Sequence, residues 1–119
     1  MDERPEEFAA RSFQFACQIV RLYQHLMKIP GFPFQMARQL LRSGTSIGSN
    51  LEEAKAPHSR KDLRSKFTIA LKESRETKYW LRLILATKLA GGRIVEDALQ
   101  EADEFVAMLT VSVRNLKQG

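Results

Sequence analysis

The chain has 119 residues, enough for one domain but too few for two independent cores. Hydrophobic residues make up 44% and charged residues 28%, a globular rather than a disordered balance, and no apolar run is long enough to span a membrane. The net charge of +5 is compatible with nucleic acid or an acidic partner, but a charge excess alone does not distinguish them.

Two features near the N-terminus indicate the cellular compartment of the protein. The acidic start, residues 1–7, is not followed by an apolar block, so it is not typical of a secretory signal. The single cysteine, Cys17, excludes an internal disulfide and a cysteine-based zinc site. We therefore expect a cytoplasmic protein. Cys17 is predicted to be a packing residue, because His25 is about two turns away and cannot activate it.

Four segments carry helical periodicity, and the first two predict helices over about 8–29 and 34–55. Pro30 to Pro33 separate them. The apolar stripe of the first is Phe15, Ile19, Leu22, Leu26 and Ile29, and that of the second is Ala37, Leu40, Gly44, Ile47, Leu51 and Ala54. Gly44 and Gly48 are spaced to let another helix approach closely. They do not form a Walker loop, because no Gly-Lys-Ser/Thr follows.

The last two segments predict helices over about 61–89 and 94–116. Ser59 is placed to cap the third, and Gly91-Gly92 to stop it. Their stripes are Leu63, Phe67, Ala70, Ser74, Thr77, Leu81 and Ile84, and then Val95, Ala98, Ala102, Phe105 and Leu109. The aromatic residues Phe8, Phe13, Phe15, Phe67 and Phe105 are assigned to the core. Short connections between four amphipathic helices predict a single all-α domain, an antiparallel up-down-up-down four-helix bundle spanning residues 1–119.

The third helix is apolar on a second face as well. Ile69, Trp80 and Leu83 fall away from its core stripe on a helical wheel, which predicts an oligomer interface. In the alternative interpretation, Trp80 packs on a neighbouring helix of the same chain.

Basic residues concentrate on the third helix. Residues 61–90 hold eight basic and three acidic residues, whereas residues 91–119 hold three basic and five acidic ones. A basic stripe with an interleaved aromatic ring can follow phosphates and stack a base, although such runs are more often a solvated face. The candidate nucleic-acid ligands are Arg38, Arg42, Lys61, Arg64, Lys72, Arg75 and Arg82, with Tyr79 for stacking.

Several carboxylates raise the question of a metal centre. Di-iron bundles need Glu-x-x-His pairs, and neither His25 nor His58 follows a glutamate by three residues, so we expect no metal and no cofactor. A structural polar network is the preferred interpretation, with the glutamates paired to lysine, arginine or asparagine in a buried or interface setting. Its predicted members are Ser46, Asn50, Glu53, Glu73 and Glu76.

Two long motifs resemble a known family. They are RSGTSIGSN at 42–50, continuing to Glu53 and Ala54, and IALKESRETKYWL at 69–81. Both are similar to those of the bacterial four-helix-bundle proteins first noticed as products of intervening sequences in 23S ribosomal RNA genes. The resemblance covers about Phe13 to Leu116. Many relatives carry proline in place of Gly48 and glycine in place of Ala54.

The resemblance implies an up-down bundle that assembles as a ring-like homopentamer. It also implies kinship with the accessory protein of diversity-generating retroelements, a basic pentamer that binds nucleic acid and a reverse transcriptase. No catalytic residues come with it. We therefore expect a non-enzymatic oligomeric scaffold that binds RNA or DNA. The alternative is a protein-interaction adaptor whose basic face docks an acidic or polymerase-like partner, and binding of bare nucleic acid discriminates between them.

Overall fold

The computed structural model describes residues 5–118, which form four α-helices and, over that range, no strand. The helices are α1 (Pro5–Met27), α2 (Phe34–Glu53), α3 (Arg60–Ala86) and α4 (Arg93–Gln118). They pack into an elongated bundle of 49 × 21 × 21 Å. The pairs α1–α2, α2–α3 and α3–α4 pack most extensively, and α4 closes on α1, so α1 and α3 lie diagonally across the bundle.

The predicted four helices are confirmed, but some of their ends differ from the sequence prediction. α1 includes Pro5, Glu6 and Glu7, which precede the predicted start near Phe8. The predicted cap of α3 is confirmed, since Ser59 Oγ accepts a hydrogen bond from the Asp62 N–H at 3.0 Å.

The end of α3 comes earlier than the glycine pair predicted. α3 ends at Ala86, and Lys88 adopts the left-handed conformation with φ of 59°. The Leu89 N–H then donates to the Ile84 carbonyl at 3.1 Å, the six-to-one bond that closes many helix ends. Lys88 occupies the position after the helix that glycine usually fills. The sequence pattern therefore did not predict this helix end.

Three phenylalanines from three helices occupy the core. Phe15, Phe67 and Phe105 are fully buried, and the rings of Phe15 and Phe105 lie 5.5 Å apart. Phe8 is half-buried and meets Phe67 edge-on at 5.7 Å. The core assignment of Phe13 is wrong, because 62% of this residue is exposed on the outer side of α1. Phe13 lies on the side of the amphipathic helix α1 that points away from its buried stripe, and this angular position outweighs its aromatic character.

The two glycines of α2 lie where α1 comes close. A Cβ built on Gly44 would lie 2.8 Å from Cγ1 of Ile19, and one built on Gly48 would lie 3.2 Å from the Ser12 carbonyl oxygen. The predicted close helix approach is therefore confirmed, and the helix that approaches is α1. The side chain of Ile19 uses the volume that a residue larger than glycine would need at position 44.

Candidate nucleic-acid interface

An open groove of about 530 Å³ runs between α3 and α4. Its apolar base includes Leu71 and Val113, both buried. Four cationic side chains line it, two from each helix, and they are Lys72, Arg75, Arg114 and Lys117. We call this surface the α3–α4 groove. Its position follows from the helix repeat, because residues 72 and 75 are one turn apart on one helix, as are 114 and 117 on the other.

The four cations of the α3–α4 groove form no ion pair among the described residues, although the charge of Lys72 acts on Glu76 from a distance. No carboxylate lines the groove, and within residues 5–118 none lies within ion-pair distance of Lys72, Arg75, Arg114 or Lys117. Four positive charges around an open groove with an apolar base produce a strongly positive local potential. The arrangement can bind an anion, and its spread suits several phosphates better than one.

The remaining α3 candidates extend this surface along the helix. Lys61, Tyr79 and Arg82 are exposed and Arg64 is half-buried. From position 61 to position 82 the helix rises about 31 Å. Arg82 differs from the groove cations, because it lines a second groove together with Glu96 and Asp103. Its charge is therefore partly offset.

Tyr79 and Arg38 already contact neighbouring rings. The Tyr79 ring meets the Trp80 ring edge-on at 5.2 Å, and 53% of the residue stays exposed. Arg38 is exposed on α2, and its guanidinium lies 5.6 Å from the centre of the Phe34 ring. It lies on another helix than those that form the α3–α4 groove.

Arg42 occupies a different environment from the other candidates. Its guanidinium donates to Glu73 Oε2 at 3.0 Å and also to Glu76 Oε2. The hydrogen bond to Glu76 raises the pKa of Arg42, burial opposes this, and the hydrogen bond to Glu73 adds to the increase. Arg42 therefore joins α2 to α3 and is not among the cations of the α3–α4 groove.

Glu76 also accepts a hydrogen bond from Trp80 Nε1 at 3.1 Å. Partial burial acts to raise the pKa of Glu76, but the hydrogen bonds from Arg42 and Trp80 and the charges of Arg42 and Lys72 outweigh it. The pKa of Glu76 is consequently lower than that of an ordinary glutamate, and the side chain is ionised at neutral pH. We call Arg42, Glu73, Glu76 and Trp80 the α2–α3 cluster.

Three other predicted network members lie outside this cluster. Ser46 Oγ donates to the Arg42 carbonyl at 2.7 Å, and Asn50 Nδ2 donates to the Ser46 carbonyl at 2.9 Å, so both bond to their own helix. Glu53 pairs with Lys66 at 2.7 Å. A buried contact nearby also joins α3 to α2, in which Thr77 Oγ1 and Ser43 Oγ are 2.9 Å apart.

The three predicted interface residues differ in exposure. Ile69 is 37% exposed, Leu83 is half-buried, and Trp80 is half-buried against the core of its own chain. Trp80 thus has the intrachain contacts of the alternative interpretation and still presents part of its ring to the outside.

The sequence analysis also missed Arg114 and Lys117. The net negative charge of residues 91–119 concealed them, because its five carboxylates all lie between Glu96 and Glu104. Beyond residue 104, Arg114 and Lys117 are the only charged side chains. The charge of the second half of α4, taken separately from the first half, indicates Arg114 and Lys117.

The described residues show neither of two other kinds of feature, a membrane-spanning helix or a metal-binding cluster. No helix in residues 5–118 is long and apolar enough to cross a membrane. In the same range, no group of three or more His, Cys, Asp and Glu side chains is arranged to hold a metal ion.

Comparisons with known proteins agree with this fold. The family model described as 23S rRNA-intervening sequence protein matches residues 6–111. A crystal structure of a protein of unknown function, from the S23 ribosomal protein family of Bacteroides thetaiotaomicron, is similar with a TM-score of 0.83 and 37% sequence identity. The similarity covers 92% of this chain and 97% of that one. Comparison with curated proteins gives no match. With a family model that matches most of its length, the chain belongs to the 23S rRNA-intervening sequence protein family.

Proposed function

We propose that this protein is a non-enzymatic oligomeric scaffold that binds nucleic acid through the α3–α4 groove. The observation that carries the proposal is the set of four cations in that groove without a carboxylate among its lining residues. Unpaired lysine and arginine side chains neutralise phosphates and release their counterions on binding. Arginine adds bidentate geometry toward phosphate oxygens.

The roles of the candidate residues differ within this proposal. Lys72, Arg75, Arg114 and Lys117 contact phosphates first, Lys61, Arg64 and Arg82 extend the contact along α3, and Tyr79 stacks a base. Arg38 contributes only where the bound molecule also reaches α2. Arg42 contributes least, since its guanidinium is already held by two carboxylates.

We infer an antiparallel up-down-up-down topology from the order of the contacts. Along α2, Arg42 pairs with Glu76 and Glu53 pairs with Lys66, so rising numbers on α2 meet falling numbers on α3. Lys78 pairs with Asp103, and Arg60 Nη2 donates to the Leu116 carbonyl, which supports the same relation for α3 and α4. A ring-like homopentamer, a cytoplasmic location and a reverse-transcriptase-like partner complete the proposal, on the strength of the family resemblance and the single cysteine.

A fluorescence-anisotropy titration tests the proposal. A structured RNA is the first probe, because the family description refers to 23S rRNA, and a duplex DNA of equal length is the second. Four neutralised phosphates predict that the logarithm of the association constant for the duplex falls with the logarithm of salt with a slope of about −3 to −4. Native mass measured on the same sample tests the oligomer.

The adaptor function is the second candidate, and the same titration decides between the two. An intact oligomer that binds neither probe at low salt would contradict the nucleic-acid proposal and favour an acidic protein partner for the groove. Affinity that does not change with salt would also contradict it, because phosphate contacts are screened by salt.

A further inference from the structure

The floor of the α3–α4 groove is apolar although its rim is cationic. Leu71 and Val113 lie at its base with 7% and 6% of their surface exposed, and the four cations of the groove surround them. Contacts with phosphates alone need cations but neither a recess nor an apolar floor. The groove therefore offers a bound polyanion a second kind of contact, with a part of the molecule that carries no charge.

Nucleobases are the flat, uncharged part of a nucleic acid, and they suit such a floor. Base faces pack on apolar and aromatic side chains and on the planes of arginine guanidinium groups. Arg75 stands on one wall of the groove and Arg114 on the other, and both are exposed and form no ion pair within residues 5–118. The groove volume of about 530 Å³ lies in the range of pockets that hold small organic ligands.

A nucleic-acid duplex cannot use this floor. Its base faces are stacked on one another, and its two strands present their phosphates outward. Packed helices lie about 8–10 Å apart, so the recess between α3 and α4 is narrower than a duplex, which would rest on the cationic rim. Only an unpaired nucleotide can turn its base into the recess while the neighbouring phosphates stay at the rim.

Two threonine hydroxyls that line the groove favour RNA over DNA. Thr68 Oγ1 donates to the Arg64 carbonyl at 2.7 Å. Thr110 Oγ1 donates to the Val106 carbonyl at 2.6 Å. Because both protons are committed to the helix backbone, the two oxygens are left as acceptors for a ligand. The sugar–phosphate chain of RNA supplies a donor, the ribose 2′-OH, whereas that of DNA supplies none.

We propose that the α3–α4 groove binds a single-stranded segment of RNA, with phosphates on its four cations and an unpaired base against Leu71 and Val113. The inference deepens the proposed function and rests on it, since it names the form of nucleic acid that the groove selects. Contact with base faces rather than base edges discriminates little between sequences, so the groove selects unpaired structure and not a sequence. Loops and ends of a folded RNA supply such segments.

Probes of matched length separate base contacts from phosphate contacts. They are an unstructured RNA of about 12 nucleotides, the same RNA in a duplex with its complement, an abasic ribose–phosphate chain, and the DNA strand of the same sequence. Fluorescence anisotropy at moderate salt measures the affinity of the wild-type protein for each. We expect the RNA strand to bind at least about 10-fold more tightly than the duplex or the abasic chain, because only the strand brings an unpaired base to the floor. The DNA strand should bind more weakly than the RNA strand.

The salt dependence supplies a second readout on the same samples. Four phosphate contacts predict that the logarithm of the association constant for the RNA strand falls with the logarithm of salt with a slope of about −3. The abasic chain carries the same phosphates, so its line should run parallel to that of the RNA strand and below it. Two lines that coincide would show that the bases contribute nothing, and would overturn the proposal.

One pair of variants tests the floor of the groove. Val113→Thr replaces a methyl group of the floor by a hydroxyl of similar shape. Val111→Thr makes the same substitution on another side of α4, at a residue that is 45% exposed, and is the matched control. We expect Val113→Thr to weaken binding of the RNA strand about 3-fold and to leave the abasic chain unaffected, whereas Val111→Thr should change neither. Helical circular dichroism checks that both variants are folded.

The outcomes separate this inference from the proposed function. A duplex that binds as tightly as the RNA strand, or more tightly, would overturn the inference and leave nucleic-acid binding by the groove intact. A DNA strand that binds as tightly as RNA would overturn the assignment to RNA. If none of the probes bound at low salt, the proposed function itself would be wrong. The comparison of probes uses the wild-type protein, so it stands even if Val113→Thr does not fold.

Discussion

Cations on the two sides of α3 lie in opposite electrostatic settings. Toward α2, Arg42 is held by Glu73 and Glu76. Toward α4, Arg75 and Lys72 line a groove without a carboxylate. On the helical wheels of α2 and α3, Arg42 and Arg75 look equivalent, because each is a cation on a face of mixed polar and apolar residues. The carboxylate contributed by the neighbouring helix decides whether such a cation acts within the fold or is available to a ligand.

Reversing the charge of the groove should produce the largest effect. Arg75→Glu combined with Arg114→Glu replaces two attractive phosphate contacts by two repulsive ones, one on each wall. We expect about a 100-fold loss of nucleic-acid affinity at moderate salt, with unchanged helical circular dichroism. Lys88→Glu combined with Arg93→Glu makes the same change of net charge at the other end of α3 and α4. If both double variants lost affinity equally, net charge rather than the groove would determine binding.

Removing the cation on the other side of α3 should affect stability instead. Arg42→Met keeps the length of the side chain but leaves Glu73 buried without its charged partner. We expect a loss of about 1–3 kcal/mol in the free energy of unfolding, measured by urea denaturation. Nucleic-acid affinity should change little. A strong loss of affinity with unchanged stability would place Arg42 with the groove cations after all.

Acid should weaken the α2–α3 cluster selectively. The folded-state pKa of Glu76 lies below its ordinary value of 4.5. Its ionised form therefore stabilises the fold above that pH, and this contribution is lost as pH falls through the lowered pKa of the folded state. The stability advantage of the wild type over Glu76→Gln should shrink across that range. An advantage that stayed constant from pH 6 to pH 3 would contradict this assignment.

The smallest effect is expected at Lys72. Lys72→Met removes an exposed cation that forms no ion pair within residues 5–118, so the free energy of unfolding should change by no more than about 0.5 kcal/mol. The salt dependence of nucleic-acid binding should lose about one unit of slope, since one phosphate contact is gone. Together with Arg42→Met this forms a matched pair on two sides of α3. Equal stability losses in both variants would remove the distinction between those sides.

Local patterns predicted most of the fold. The spacing of Phe67 and Leu81 assigned the inner face of α3, and Ser59 with Asp62 marked its start, because both signals depend on neighbours within a few residues. The aromatic character of Phe13 does not predict its place, because its angular position on α1 points it outward. The end of α3 was missed because Lys88 adopts a backbone conformation that is uncommon for lysine.

The candidate site was less predictable than the fold. The sequence identified Lys72 and Arg75, but the partners of a side chain depend on which helices become neighbours. Arg42 looked like a phosphate ligand until α3 supplied Glu73 and Glu76 beside it. Arg114 and Lys117 look unremarkable on a mainly acidic helix until α4 brings them next to Lys72 and Arg75. Pairing across helices is a property of the bundle and not of any single segment.

The contact between Ile19 and Gly44 has a consequence for redesign of this bundle. Because Cγ1 of Ile19 lies within 2.8 Å of a Cβ built at position 44, the two positions share one volume. Gly44→Ala would gain helix propensity of about 1 kcal/mol but overpack the contact. Combining it with Ile19→Ala removes Cγ1, Cγ2 and Cδ1 of Ile19, the three atoms nearest to that Cβ. A library that varies the two positions jointly should therefore recover stable bundles that neither single substitution reaches.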